Sequence, residues 1–196
     1  MADPKPLSLA AIRAVTVSTS PALNRRAFLR TVACGALSCM ASPVLAEFVE
    51  ERSVSFVHTH TGECLSAVYF RDGSYDQVAL SSLEYVLRDF RTGEVHSIDP
   101  ALLDALFELQ VRTDHAHPYQ IISAYRSPKT NDGLRSKSHG VAERSLHLQG
   151  QAIDIRVAGV ATKKLRDLAL AMKVGGVGYY RRSDFLHVDT GRVRSW

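Results

Sequence analysis

Apolar and polar residues alternate along Ser53–Val57 and again along Cys64–Phe70. A period of two places successive side chains on opposite faces of a strand. Arg71-Asp72-Gly73-Ser74 supplies turn chemistry after the second run. The period then changes: Leu83, Val86, Leu87 and Phe90 fall at helical spacing, opened by Ser81 and Ser82 and closed by Gly93. Asp99-Pro100 reads as a cap followed by proline in the first turn of a second helix, with Leu102, Leu103, Leu106 and Phe107 on its apolar face. A third helix runs from Thr162 to Lys173 and ends at Gly175-Gly176. Ile121–Tyr125, Gln151–Val157 and Leu186–Asp189, with Gly178–Tyr180 leading into the last, are the predicted central sheet. Strands and helices mix without a βαβ rhythm, which predicts an α+β fold.

Two of these strands carry polar chemistry. In Ala152-Ile153-Asp154-Ile155-Arg156-Val157 the odd-numbered positions are apolar, and Asp154 and Arg156 share the other face. In Leu186-His187-Val188-Asp189 the aliphatic pair faces one way, His187 and Asp189 the other. Each strand can therefore bury one face and build a polar cleft with the other.

Composition and charge change the picture only once they are located. The chain has 196 residues, 45% apolar and 22% charged, with 24 Lys/Arg against 20 Asp/Glu. Residues 1–46 read as an address. Asn24-Arg25-Arg26-Ala27-Phe28-Leu29-Arg30 resembles the twin-arginine export signal, a mildly apolar run follows from Thr31 to Leu45, and Val44-Leu45-Ala46 is a small-residue exit. That run is shorter than the ~20 apolar residues of a membrane span, so no stable span is expected after cleavage at Ala46. The leader holds five bases and one acid, leaving 19 of each in residues 47–196. The basic surplus belongs to the leader, and a nucleic-acid partner is excluded on charge. Cys34 and Cys39 lie there too, so Cys64 remains alone and no intramolecular disulfide can form in the single domain 47–196.

Ser145-Leu146-His147-Leu148-Gln149-Gly150-Gln151-Ala152-Ile153-Asp154 contains H-x-x-G-x-A-x-D, and Asp184-Phe185-Leu186-His187 contains D-x-x-H. Ile122-Ser123-Ala124-Tyr125-Arg126-Ser127 precedes them and Val188-Asp189-Thr190-Gly191 follows. This set resembles the zinc D,D-peptidase superfamily, which includes D-Ala-D-Ala carboxypeptidases and, by fold, the hedgehog signalling domain. The stretch Tyr125–Asn131, Gly175-Gly176-Val177-Gly178-Tyr179-Tyr180 and the terminal Arg192-Val193-Arg194-Ser195-Trp196 are similar to the twin-arginine-exported murein endopeptidases of the K type.

The resemblance implies a hedgehog/D,D-peptidase-like zinc fold, a small antiparallel sheet with helices packed on one face. It also implies one Zn²⁺ per chain on His147, Asp154 and His187, with a fourth position left for water. Asp184 resembles the family's general base and Arg126 the arginine that polarises the scissile carbonyl. Asp189 shares a face with His187 and is placed to fix a ligand imidazole. Related enzymes often carry His two residues before the catalytic acid, where this chain has Arg182. The implied partners are peptidoglycan stem peptides and cross-links, and the implied place is the periplasm or cell envelope. Three activities stay open: a murein endopeptidase, a D-Ala-D-Ala carboxypeptidase with the same chemistry in a cleft closed at one end, and a zinc-containing domain that only binds wall peptide.

The remaining candidates have structural readings. His58 and His60 read as polar surface on an edge strand, His115 and His117 as a surface loop before Pro118, and Cys64 as a buried structural thiol. Arg181-Arg182 reads as a solvated turn, and His139 as a neighbour of the motif placed to line the cleft.

Overall fold

The computed structural model describes residues 50–138 and 140–196; the expected leader 1–46 and His139 lie outside the described residues. The chain starts with a hairpin, β1 (Arg52–His58) against β2 (Cys64–Arg71), and turns through Asp72 and Gly73, both at positive φ, into the two-residue β3 (Ser74–Tyr75). Next come α1 (Gln77–Val86) and α2 (Pro100–Thr113), then β4 (Tyr119–Ser123) and α3 (Pro128–Arg135). After a short 3-10 turn at Leu146–Gln149 the chain runs through β5 (Ala152–Val157), α4 (Thr162–Met172), β6 (Gly176–Tyr180), β7 (Phe185–Asp189) and β8 (Arg194–Ser195).

All eight strands form one sheet in the order β3-β2-β1-β4-β5-β7-β6-β8. The α+β class agrees with expectation, but the small antiparallel sheet does not: the sheet is large and mixed, with β1/β4 and β6/β8 parallel. The cause is connectivity. After the hairpin, the chain crosses over through α1 and α2 and returns to the free edge of β1, and a strand that returns by a crossover enters parallel. Strand β8 likewise passes β7 to reach the outer edge of β6. Two-residue strands such as β3 and β8 are too short to show a period.

The core lies on one face of this sheet. Val54 and Phe56, Tyr119 and Ile121, Ile153 and Ile155, Leu186 and Val188 pack against Leu83 of α1, Leu102 and Leu106 of α2, and Leu165 of α4. Each fully buried side chain of this kind stabilises the fold by about 2 kcal/mol. Helix starts follow cap chemistry. Asp76 caps α1 by accepting from the amides of Val78 (2.8 Å) and Ala79 (3.1 Å), so α1 begins ahead of Ser81 and Ser82. Those two serines sit inside the helix, their hydroxyls donating to the carbonyls of Gln77 and Val78. Asp99 and Pro100 open α2 as expected, while α4 ends on Lys173 in the left-handed region (φ 55°) rather than on glycine. Among the described residues no helix is long and apolar enough to cross a membrane.

Candidate metal centre

His147 is delivered by the 3-10 turn, which is pinned at both ends. The amide of Arg126 donates to its carbonyl (3.1 Å), and Leu148 N returns to Ser145 O (3.0 Å). Gly150 closes the turn at φ 66°, where a Cβ would stand 2.0 Å from the carbonyl oxygen of Ser97. Backbone conformation and close approach both demand glycine three residues after the histidine. Asp154 and His187 are direct cross-strand partners on β5 and β7, on the face away from the core. A register shift in β4 between Ile121 and Ser123 brings Ser123 opposite Asp154 and turns the chain out of the sheet towards Arg126.

Three ligand atoms converge in this way. His187 Nδ1 lies 2.9 Å and His147 Nε2 3.3 Å from Asp154 Oδ1, and the two nitrogens are 3.2 Å apart. All three residues are buried. The outer ring nitrogens fix the tautomers: His147 Nδ1 meets the carbonyl of Ala124 at 2.6 Å, and His187 Nε2 meets Asp189 Oδ2 at 3.0 Å. A carbonyl and a carboxylate only accept, so both outer nitrogens donate, and in its neutral form each ring presents its lone pair to the centre. Ligands at ~2.0–2.1 Å from a tetrahedral zinc stand roughly 3.3 Å apart, and the triangle has this size. The donor set therefore fits a small divalent cation.

The electrostatics agree. Burial alone would raise the carboxyl of Asp154, yet His147 and His187 hold it well below the usual carboxylate range. Burial lowers His147 despite the pull of Asp154. His187 is raised, because Asp154 and Asp189 outweigh its burial. Asp154 thus stays ionised between the two imidazoles.

Arg126 also reaches this point. Its Nη2 donates to Asp154 Oδ2 (2.5 Å) and its Nε to Ser123 Oγ (2.9 Å), so each Asp154 oxygen has its own task. Behind His187, the fully buried Asp189 accepts from the amides of Gly176 and Gly191 (2.9 Å each) and from both guanidinium nitrogens of Arg194 (3.0 and 2.7 Å). A Cβ on Gly176 would lie 2.5 Å from Asp189 Oδ2. A further buried acid, Asp89, holds the segment after Arg126: its Oδ2 accepts from Ser127 N (2.9 Å) and Ser127 Oγ (2.6 Å), and its Oδ1 from Arg91 N (3.0 Å).

His147, Asp154, His187 and Arg126 line one cleft of about 410 Å³, with Arg144, Tyr180, Phe185, Arg194 and Trp196. Asp184 does not line it. That residue is exposed in the turn before β7 at φ 49°, its carboxylate accepting from the hydroxyl of Thr162 at the start of α4. Arg181 and Arg182 are exposed in the same turn. Sequence reasoning missed Arg194 and Asp89. The basic C-terminal motif held a signal for Arg194, but nothing local marks Asp89, whose partner Ser127 is 38 residues away.

Other expectations need correction. Strand β1 is interior, between β2 and β4, so His58 is buried, with its ring edge against Phe90, and His60 stacks on the same phenylalanine from outside the strand. His115 is buried against Tyr119, its Nδ1 hydrogen-bonded to the carbonyl of His117 (2.8 Å). Cys64 is exposed at the start of β2, because the hairpin turns that end of the strand to solvent.

Comparison with known proteins bears on this centre. A family model described as peptidoglycan L,D-endopeptidase MepK matches residues 46–196. The peptidoglycan L,D-endopeptidase MepK of Escherichia coli (strain K12) is 42% identical over 177 residues, which cover 88% of this chain and 97% of that protein. A probable peptidoglycan L,D-endopeptidase MepK of Haemophilus influenzae is 38% identical over 178 residues, covering 88% of this chain and 95% of its own. No solved structure matches the chain. The family match over the whole site-bearing region, with relatives aligned along nearly their full length, shows that this chain belongs to the MepK family of peptidoglycan L,D-endopeptidases.

Proposed function

We propose that residues 47–196 form a zinc-dependent murein endopeptidase that hydrolyses peptide cross-links of peptidoglycan during wall growth or remodelling. The carrying observation is the convergence of His147 Nε2, His187 Nδ1 and Asp154 Oδ1 on one point facing the cleft, with outer hydrogen bonds that fix both imidazole tautomers. One Zn²⁺ held there would supply Lewis-acid polarisation and a water acidified towards neutral pH. Arg126 lies beside the ligand carboxylate and donates to the scissile carbonyl as negative charge develops on its oxygen. Asp184 takes a proton from the attacking water and passes it to the leaving amine, for which its side chain must leave Thr162 and turn into the cleft. Asp189 keeps His187 oriented throughout.

The relatives' name specifies an L,D bond. A D-Ala–diaminopimelate link joins two D-centres, whereas a direct diaminopimelate–diaminopimelate link joins an L-centre carbonyl to a D-centre amine. The direct link is therefore the proposed substrate. Residues 1–46 are proposed as a cleaved twin-arginine leader that sends the domain to the periplasm. The test is digestion of purified peptidoglycan by residues 47–196, read by chromatography and mass spectrometry of the muropeptides. Loss of directly linked dimers with a matching rise in monomers, abolished by chelator, restored by zinc and lost in Asp184→Ala, is the expected result. Release of free D-Ala would instead identify a carboxypeptidase, and zinc binding with intact wall peptides a binding module.

A further inference from the structure

Three arginines line the cleft, and two of them are committed. Arg126 is held by Ser123 and Asp154. Arg194 places both terminal nitrogens on Asp189 and lies over the ring of Trp196 at 5.0 Å. Arg144 differs: among the described residues it has no acidic or hydrogen-bonding partner, and the adjacent Glu143 pairs with Arg135 instead (3.6 Å). Asp154 is the one side-chain carboxylate among the described lining residues, and Arg126 already neutralises it. The cleft thus carries one uncompensated cation from its own side chains. Arg144 is exposed to the cleft's solvent, directly before the buried Ser145 and three residues before His147 of the pinned turn. The lining also includes an aromatic surface, Tyr180 stacked on Phe185 (4.4 Å) and tied to the indole of Trp196 by a 3.0 Å hydrogen bond.

A planar guanidinium with free donors grips a carboxylate through two parallel hydrogen bonds, and an aromatic surface accepts a methylene chain. We infer that Arg144 is a specificity-determining residue, binding a free carboxylate of the stem peptide in the cleft so that amidation of that group weakens recognition. The inference rests on the peptidoglycan reading of the site. Besides the chain terminus, two groups of a stem peptide offer this chemistry, the diaminopimelate side-chain carboxyl and the glutamate carboxyl.

The experiment is fluorescence anisotropy with labelled stem tripeptides whose chain-terminal carboxyl is capped as an amide, one with the glutamate and diaminopimelate side-chain carboxyls both free and one amidated at each of these in turn. Wild type, Arg144→Lys, Arg144→Gln and Arg144→Glu are each titrated, zinc-loaded and metal-free. Wild type is expected to bind the free form about tenfold or more tightly than one of the amidated forms, since a charge-assisted pair is lost on amidation. Arg144→Lys keeps part of that preference, Arg144→Gln abolishes it and Arg144→Glu reverses it. Equal binding of all three peptides by wild type, or an undiminished preference in Arg144→Gln, overturns the inference. Digestion of cross-linked dimers with free or amidated carboxyls separates the two readings. Preferential binding with intact dimers sinks the endopeptidase and spares Arg144, whereas cleavage of both dimers at equal kcat/KM does the reverse.

Discussion

Asp189 has no exposed surface and five hydrogen bonds, one of them to the outer nitrogen of His187. Burial would raise its carboxyl, yet His187, Arg194 and the two glycine amides hold it well below the usual range, so it stays an acceptor. Asp189→Asn puts an amide where Arg194 requires a charge and loosens the imidazole. Zinc affinity should fall about 10–100-fold, measured by competition with a chromophoric chelator. Arg126→Lys should lower kcat by about 10²–10³-fold with the fold intact, because an ammonium cannot serve Ser123, Asp154 and a carbonyl together. At this scale Asp154, His187 and Asp189 were legible, since a period of two fixes their face once the aliphatic partners are recognised. The orientation of Asp184 was not. It sits in a turn at positive φ, where strand parity no longer says which way a side chain points.

The loop between α1 and α2 shows how an element outside the motif sets the site. Asp89 ties Arg91 of this loop to Ser127, and Tyr125 N donates to Leu87 O (3.0 Å), so the strand exit bearing Arg126 is clamped from both sides. Burial opposes ionisation of Asp89, but the bonds from Ser127, Thr130 and Arg91 hold its carboxyl at about 2 against an ordinary 3.8. A depressed folded-state value stabilises fully above the unfolded one and is lost as pH falls through about 2. Asp89→Asn should therefore cost about 2 kcal/mol at pH 7 and about half that at pH 3, as urea unfolding at the two pH values will show. Gly176→Ala makes a harsher demand, as its methyl would enter the space of the Asp189 carboxylate. It should abolish tight zinc binding, checked by elemental analysis of the purified variant. The helix periods were readable, but the start of α1 was not, because the serines that mimic a cap bond back into the helix while Asp76 does the capping.

Across the whole molecule, the candidate ligands come from a turn and two strands that only tertiary pairing unites. Metal binding by them would therefore be coupled to folding. Zinc at 1,000 times its Kd should add about 4 kcal/mol of stability, and chelator should remove it. For a domain of this size that is a Tm difference on the order of 10 °C, read by thermal melting with and without chelator. The polar cleft could be foreseen from the sequence, but the width and mixed direction of the sheet could not. Those depend on where a strand docks after a crossover, which no local pattern records.

Strand order also gives the site a history. His147 and Asp154 leave the ribosome with β4 and β5, but the other neighbour of β5 is β7, made only after α4 and β6. Until then the nascent chain has two of the three candidate ligands, an unpaired strand edge and no Asp189 to orient an imidazole. On the proposed zinc reading, metal capture is therefore a late event in the birth of the molecule, following the docking of β7. An export route that accepts only finished proteins would then inspect, in effect, a chain already loaded. Leaderless protein recovered from the cytoplasm should contain zinc, and metal-free protein there would place the loading beyond the membrane.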